Sequence, residues 1–143
     1  MPTDIALTLI WALPFLTSLI AVAMPAGARN GEAWLGGTVA GICLLLTIFL
    51  FPAITDGGVV TYKLDWIASA GLTLNFRMDG LAWLFCVLIT FIGLLVVLYA
   101  RYYMSPKDPV PRFYALLMAF MGAMLGLVMS GNIIQLAIFW ELT

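Results

Sequence analysis

One carboxylate in this chain lies where its charge could carry chemistry. Glu141 falls in the run NIIQLAIFWELT, residues 132–143, whose interior has only one other polar side chain, Gln135. If a helix enters an apolar layer at Asn132, Glu141 lies nine residues further in, about 13.5 Å along the axis and near the middle of a hydrocarbon layer about 30 Å thick. An acid at that depth is costly, which indicates an ion pathway, a proton relay or a substrate site. Two plainer interpretations stay open: a buried structural hydrogen bond, or a terminal segment that never enters the bilayer.

Two further charged residues, Arg77 and Asp79, stand at the start of another apolar run. Asp79 directly precedes residues 80–100, which carry no charge. An aspartate in this position is typical of a helix N-cap, because it accepts hydrogen bonds from free amides and suits the positive end of the helix. The functional alternative is an external site that collects protons, with Arg77 beside it. We favour the cap.

The composition indicates an integral membrane protein. Hydrophobic residues make up 64% of the 143 residues and charged residues 9%, and the mean hydropathy is +1.13. A soluble domain is about a quarter charged, so six basic and seven acidic side chains cannot cover a water-facing surface. The net charge is −1 with no basic tract, which argues against nucleic acid as a partner.

The residues that usually hold metals and cofactors are scarce. The chain has no histidine, and Cys43 and Cys86 lie in separate apolar runs without paired spacing. We therefore interpret both cysteines as buried free thiols rather than as a disulfide or a metal site. No cofactor motif is present, so we expect no cofactor and no metal site in this chain.

Long apolar runs predict the membrane spans. They predict complete spans over residues 5–24, 34–51, 80–100 and 113–129, and a truncated fifth over residues 132–143. The first run could instead be a signal peptide, since Ala21-Val22-Ala23 resembles a cleavage site, but Asp4 and the absence of Lys or Arg before the run favour an uncleaved helix. Pro14 should kink this helix rather than break it. Polar links are expected at residues 29–32 and 101–112.

Residues 59–78 have a different periodicity. Val60, Tyr62, Leu64 and Trp66 alternate with polar residues, and Leu72, Leu74, Phe76 and Met78 do the same after a short turn at residues 68–71. Two runs of period two joined by a glycine-containing turn predict a β-hairpin. Each strand has one apolar face, so the hairpin should lie on other protein at the membrane surface.

These elements together predict an all-α integral membrane protein with four complete transmembrane helices, a truncated fifth, and an external β-hairpin between helices 2 and 3. The orientation follows from the basic residues. One side would carry four of them, Arg29, Arg101, Lys107 and Arg112, and the other side two, Lys63 and Arg77. The first side should be cytoplasmic, which puts the N-terminus and the hairpin outside.

Four runs, in order, resemble the large A-type subunit of Mrp-type multisubunit Na⁺/H⁺ antiporters. They are FRMDGL at residues 76–81, LLVVLYARYY at 94–103, Phe113-Tyr114 with FMGAMLG at 120–126, and FWELT at 139–143. The Asp-Gly helix entry, the basic-tyrosine link and the fifth-helix acid are also similar to the antiporter-like subunits of respiratory complex I, notably its L-type subunit. The large antiporter subunit is several times longer, so we expect an N-terminal fragment of a larger protein.

The resemblance implies a role for Glu141. It matches the family's fifth-helix glutamate, a proton-path residue that pairs with a lysine on a later helix. Lys63 and Lys107 both lie in links, so this sequence holds one half of such an ion pair. The resemblance further implies exchange of cytoplasmic Na⁺ for external H⁺ with partner subunits in the bacterial inner membrane, and no redox centre in this chain.

Two alternative functions stay open. The first is a proton-translocating subunit of a complex I-type NADH–quinone oxidoreductase or a membrane-bound hydrogenase, in which neighbouring subunits drive the same helices by electron transfer. The second is a small structural membrane protein in which Glu141 merely holds a helix contact.

Overall fold

The structure is a computed structural model that describes residues 2–25, 29–67, 72–105 and 108–143. Most of these residues are helical, and two strands form a single hairpin. The elements in chain order are α1 Thr3–Ala23, α2 Arg29–Phe49, α3 Phe51–Ile54, β1 Val60–Ile67, β2 Leu72–Met78, α4 Gly80–Tyr103, α5 Val110–Val128 and α6 Ile133–Glu141. A short 3-10 turn, Thr55–Gly57, follows α3.

Four helices among the described residues are long and apolar enough to cross a membrane, which confirms the prediction of four spans. They are Thr3–Ala23, Asn30–Phe49, Gly80–Tyr103 and Val110–Val128. Pro14 lies within α1, which continues past it without a break. The expected fifth span is represented by α6, whose nine residues extend about 13.5 Å. A membrane-crossing fifth helix therefore stays a prediction.

The expected polar link at residues 29–32 is wrong, because α2 already begins at Arg29. An acid in the first turn, here Glu32, suits the positive end of a helix. Helix α5 likewise begins at Val110 rather than at residue 113. Pro111 lies in its first turn, where the missing N–H of proline would have had no partner within the helix.

The predicted hairpin is confirmed as an antiparallel pair. Its register joins Val60 to Met78, Tyr62 to Phe76 and Leu64 to Leu74, with an irregularity between Asp65 and Ile67. The apolar positions of the two strands thus lie opposite one another on one face, as the alternation predicts. The turn predicted at residues 68–71 lies outside the described residues.

The apolar face of the hairpin packs on the helices. Val60, Phe76 and Met78 are buried. The ring of Phe76 stacks on Trp11 of α1, with centroids 4.8 Å apart and planes 15° apart, and lies 6.2 Å from the ring of Phe139 in α6. Burying one such aromatic side chain stabilises a fold by roughly 1.5–3 kcal/mol, so the hairpin is part of the core.

Helix α5 is central, with α1, α2, α4 and α6 packed around it. Small residues permit this packing. A Cβ atom on Gly122 would lie 2.9 Å from the ring of Phe15, and one on Gly126 would overlap the ring of Phe139. By contrast, a Cβ atom on Gly41 in α2 would have no described atom within 4 Å. The glycines at residues 122 and 126 are therefore needed for close packing, whereas Gly41 is not.

Hydrogen bonds join β2 to the start of α6. The side chain of Asn132 caps α6 by accepting from the N–H of Gln135 at 2.8 Å, and its amide donates to the carbonyl of Thr73 at 2.9 Å. The N–H of Asn75 donates to Oε1 of Gln135 at 2.7 Å. The hairpin therefore determines where α6 begins and which face it turns inward.

We expect Gly126→Ala to destabilise the protein, because the added methyl group must displace the ring of Phe139. Overpacking of this kind typically costs about 1–3 kcal/mol. Gly41→Ala is the matched control, and it should be neutral or stabilising, since alanine favours helix by about 1 kcal/mol over glycine. Thermal unfolding in detergent would measure both, and equal melting temperatures for the two variants would contradict the packing described here.

Candidate functional site

Glu141 occupies the last helical position of α6. The helix turns Gln135 and Phe139 toward the core, whereas Glu141 and its neighbours Trp140 and Leu142 are exposed. Its side chain therefore lies on the face of α6 that points away from the rest of the described bundle.

The cap at Asn132 sets the depth of Glu141. Because α6 begins there, Glu141 lies nine residues and about 13.5 Å along the helix axis from the end of the bundle that carries the hairpin. Exposed apolar side chains share the outer surface of α6, among them Ile134 and Ile138. The carboxylate is thus flanked by exposed apolar side chains of its own helix.

Asp79 caps α4, as the sequence predicts. Its Oδ1 accepts a hydrogen bond from the N–H of Ala82 at 3.0 Å, and its Oδ2 lies 3.3 Å from Nη2 of Arg77. The side chains of Arg77 and Asp79 are 52% and 34% exposed, respectively, so water screens the pair and its contribution is about 0–1 kcal/mol. Both carboxylate oxygens of Asp79 therefore have structural partners.

A cavity of about 340 Å³ joins this ion pair to the neighbourhood of α6. Arg77, Asp79, Ser130 and Trp140 contribute to its wall, together with apolar side chains of α4 and α5. The structure therefore brings Arg77 and Asp79 together, with Trp140 lining the same cavity. Glu141 follows Trp140 in the chain but is not among the residues that line it.

One carboxylate with an unusual environment is missed by reasoning from sequence. Glu32, which the sequence places in a link, lies in the first turn of α2 and is 1% exposed. Neither of its oxygens has a hydrogen-bond partner among the described residues. The available signal was the helical spacing of Glu32, Gly36, Ala40, Cys43 and Thr47, which places all five on one face of α2.

A second group of buried polar atoms lies where β2 meets α6. Nε2 of Gln135, Oδ1 of Asn75 and Nε1 of Trp11 are all buried without a hydrogen-bond partner among the described residues. Buried polar groups are normally paired, so two donors and one acceptor without partners make this junction polar inside an apolar bundle. Gln135 is the residue that ties this junction to the helix bearing Glu141.

The two cysteines are buried free thiols, as the sequence predicts. Sγ of Cys43 in α2 donates to the carbonyl of Ile10 in α1 at 3.5 Å, and Cys86 is buried in α4. Within the described residues, no group of three or more His, Cys, Asp or Glu side chains is placed to hold a metal ion.

Known proteins resemble this chain along most of its length. Residues 66–114 match the family described as NADH-ubiquinone oxidoreductase (complex I), chain 5 N-terminus. The A/B subunit of a probable K⁺/H⁺ antiporter of Rhizobium meliloti (strain 1021) is 56% identical over 131 residues, which are 92% of this chain and 13% of that protein. The A-type subunit of an Na⁺/H⁺ antiporter of Alkalihalophilus pseudofirmus is 40% identical over 137 residues, which are 93% of this chain and 17% of that protein.

The fold has a counterpart among solved structures. A chain in the structure of the Mrp complex from Dietzia sp. DQ12-45-1b superposes with a TM-score of 0.76 and 27% identity, covering 95% of this chain and 14% of that one. The chain described here thus spans less than a fifth of the length of the relatives it matches. It belongs to the family of large A-type subunits of Mrp-type cation/proton antiporters, corresponds to an N-terminal part of those proteins, and is related to complex I.

Proposed function

We propose that this chain is part of the membrane domain of a multisubunit monovalent cation/proton antiporter, in which Glu141 is a proton-path carboxylate. The observation that carries this proposal is the carboxylate on α6, held about 13.5 Å from the hairpin end of the bundle, in a chain whose relatives are named as large subunits of such antiporters. The protein would exchange cytoplasmic Na⁺ for external H⁺ in a bacterial inner membrane, together with other subunits.

The position of Glu141 supports this role. The hydrogen bonds of Asn132 and Asn75 to their partners fix the start and the rotation of α6, so the carboxylate has a defined depth and direction. It points away from the described helices, which leaves it accessible to a cationic side chain from outside them. Low dielectric disfavours the charged acid, and a nearby ammonium group favours it. Movement of such a partner would therefore load and release a proton.

The transported cation is proposed as Na⁺, with K⁺ as the alternative. The relative from Alkalihalophilus pseudofirmus is named for Na⁺, and the more similar one from Rhizobium meliloti is named for K⁺. Measurement of the proton gradient across inverted vesicles, after addition of an Na⁺ salt or a K⁺ salt, would distinguish the two cations.

Redox-driven proton translocation is a second candidate, because residues 66–114 match a complex I family. Purification of the native complex would separate the two functions. Copurification of flavin or iron–sulfur subunits, together with proton uptake that depends on an electron donor rather than on Na⁺ or K⁺, would favour the redox-driven machine.

We expect Glu141→Gln to abolish antiport nearly completely while expression and assembly stay normal. Glutamine keeps the size and the hydrogen-bonding capacity of glutamate but cannot titrate. Glu141→Asp keeps the titrating group one methylene further back, so partial activity is expected. The antiport activity of each variant is measured as the cation-dependent collapse of a proton gradient in inverted vesicles. Native gel electrophoresis of the complex checks assembly.

Asp65→Asn is the matched control for this experiment. Asp65 is an exposed carboxylate on β1, so its amide variant should transport like the wild type. Wild-type antiport by a well-assembled Glu141→Gln complex would refute the proton-path assignment, and loss of the protein rather than of transport would indicate a structural role.

We expect Asp79→Asn to keep near-normal transport, because asparagine also caps helices. Asp79→Ala removes the acceptor for the N–H of Ala82 and should cost about 1 kcal/mol of stability. Melting temperature and antiport rate should be measured for both variants. Normal assembly with strongly reduced transport in Asp79→Asn would instead support a proton-collecting role for the carboxylate.

We expect the hairpin and the α4–α5 link to face opposite sides of the membrane, with the hairpin outside. Lys63 in β1 and Ser105 after α4 are both exposed, so cysteines placed there should react with a membrane-impermeant maleimide. Lys63→Cys should label in intact cells and Ser105→Cys only after permeabilisation. Labelling of both from one side would contradict the proposed topology.

A further inference from the structure

Glu32 is buried without the partners that a buried carboxylate normally has. It is 1% exposed, and neither oxygen has a hydrogen-bond donor among the described residues. A charged carboxylate in this state is strongly unfavourable, whereas a neutral one loses much less on leaving water. The positive end of α2 offsets part of this cost, but the carboxyl group has no hydrogen-bond donor among the described residues. Its burial therefore favours a positive species bound at the carboxyl group, either a proton or another cation.

The packing of α2 shows where Glu32 lies. Gly36 is one turn further along the same face, and a Cβ atom there would lie 3.6 Å from side-chain atoms of Val97 in α4 and Met118 in α5, and 3.7 Å from the ring of Tyr114 in α5. This face of α2 therefore points into the seam between α4 and α5. Glu32 lies one turn closer to the end of the bundle opposite the hairpin.

Helix direction places the surrounding groups. Nε1 of Trp83, near the start of α4, donates to the carbonyl of Thr47, near the end of α2, at 2.7 Å, so α2 and α4 are antiparallel. Glu32 therefore lies near the level of Arg101 in α4. The guanidinium of Arg101 is 5.3 Å from the ring centroid of Trp34.

The other charged or titratable residues at this end of the described bundle lie at the start of α2, on α4, on α5 and in the link between α4 and α5. They are Arg29, Tyr99, Tyr102, Tyr103, Asp108, Arg112 and Tyr114. The hydroxyl of Tyr114 donates to the carbonyl of Val97 at 3.4 Å. The exposed side chains among them include Tyr99, Tyr102, Tyr103, Asp108 and Arg112. The final described turn of α1 carries no titratable side chain.

These surroundings favour a proton over a metal cation. A cation needs several oxygen ligands at once, whereas a proton needs a single oxygen. Of the side chains that line the neighbouring seam, Val97 and Met118 provide no oxygen, and the hydroxyl of Tyr114 donates to the carbonyl of Val97. No described side chain forms a hydrogen bond with the carboxyl group of Glu32.

We propose that Glu32 is a second proton-binding carboxyl group of this chain, at the end of the bundle opposite the hairpin. It takes up one proton from the water at that end, forming one O–H bond, and returns it by breaking the same bond. The observation that supports proton binding is the burial of Glu32 itself. Its contribution to transport rests on the antiporter function proposed above.

Infrared difference spectroscopy of the native, fully assembled complex tests proton binding without relying on transport. A protonated carboxyl group has a carbonyl band that ionised carboxylates lack. As the pH is raised from about 6 to about 9, a range above the ordinary titration of glutamate, the wild type should lose such a band. Glu32→Gln should lack this component, and Asp65→Asn should retain it. A spectrum of the wild type identical to that of Glu32→Gln at every pH would overturn the proposal.

Antiport measured across the same pH range tests the transport role. In Glu32→Gln the antiport rate should fall by about tenfold or more, which is less than the usual loss for a proton-transferring group at the reacting centre. The pH profile of antiport should also change. Glu32→Asp should restore part of the rate. An unchanged pH profile in an assembled Glu32→Gln complex would overturn the transport role. If the wild type itself showed no antiport, the proposed function would fail while the infrared result still decided whether Glu32 binds a proton.

Discussion

An apolar layer leaves backbone N–H and C=O groups no water to pair with, and the rest of this structure depends on that constraint. Most of the chain meets it by forming helices. At the end of the bundle, the two strands of the hairpin pair with each other, and β2 also pairs with the α5–α6 turn. The N–H of Arg77 donates to the carbonyl of Met129 at 2.8 Å, and the N–H of Gly131 donates to the carbonyl of Asn75 at 2.7 Å. A Cβ atom on Gly131 would come within 2.7 Å of that same carbonyl oxygen, so glycine is required at the junction.

This junction links local hydrogen bonding to the proposed function. It sets the first residue and the rotation of α6, and it therefore sets the depth and direction of Glu141. The same rotation buries Phe139 against the rings of Trp11 and Phe76. A change in the hairpin would consequently alter the position of the Glu141 carboxylate, although the hairpin itself lies at the end of the bundle.

The two carboxylates, Glu141 and Glu32, differ in their surroundings within the described chain. Glu141 faces outward, so a cationic partner would have to come from outside the described helices. Glu32 is buried and has no hydrogen-bond donor among the described residues. Because the cost of an uncompensated charge depends on enclosure, the second arrangement favours a neutral acid, whereas the first is suited to an ion pair with a neighbouring element.

The sequence by itself determined the membrane class, four apolar spans, the hairpin with its apolar face, the cap at Asp79 and the family. These follow from local properties, namely run length, period-two alternation, capping chemistry and motif order. Only the tertiary structure decided that α2 starts at Arg29, that Glu32 is enclosed, and that α6 turns Gln135 inward and Glu141 outward. The burial of a side chain depends on which helices pack against its face, and residues distant in sequence, such as Gly36 with Val97 and Tyr114, determine that packing.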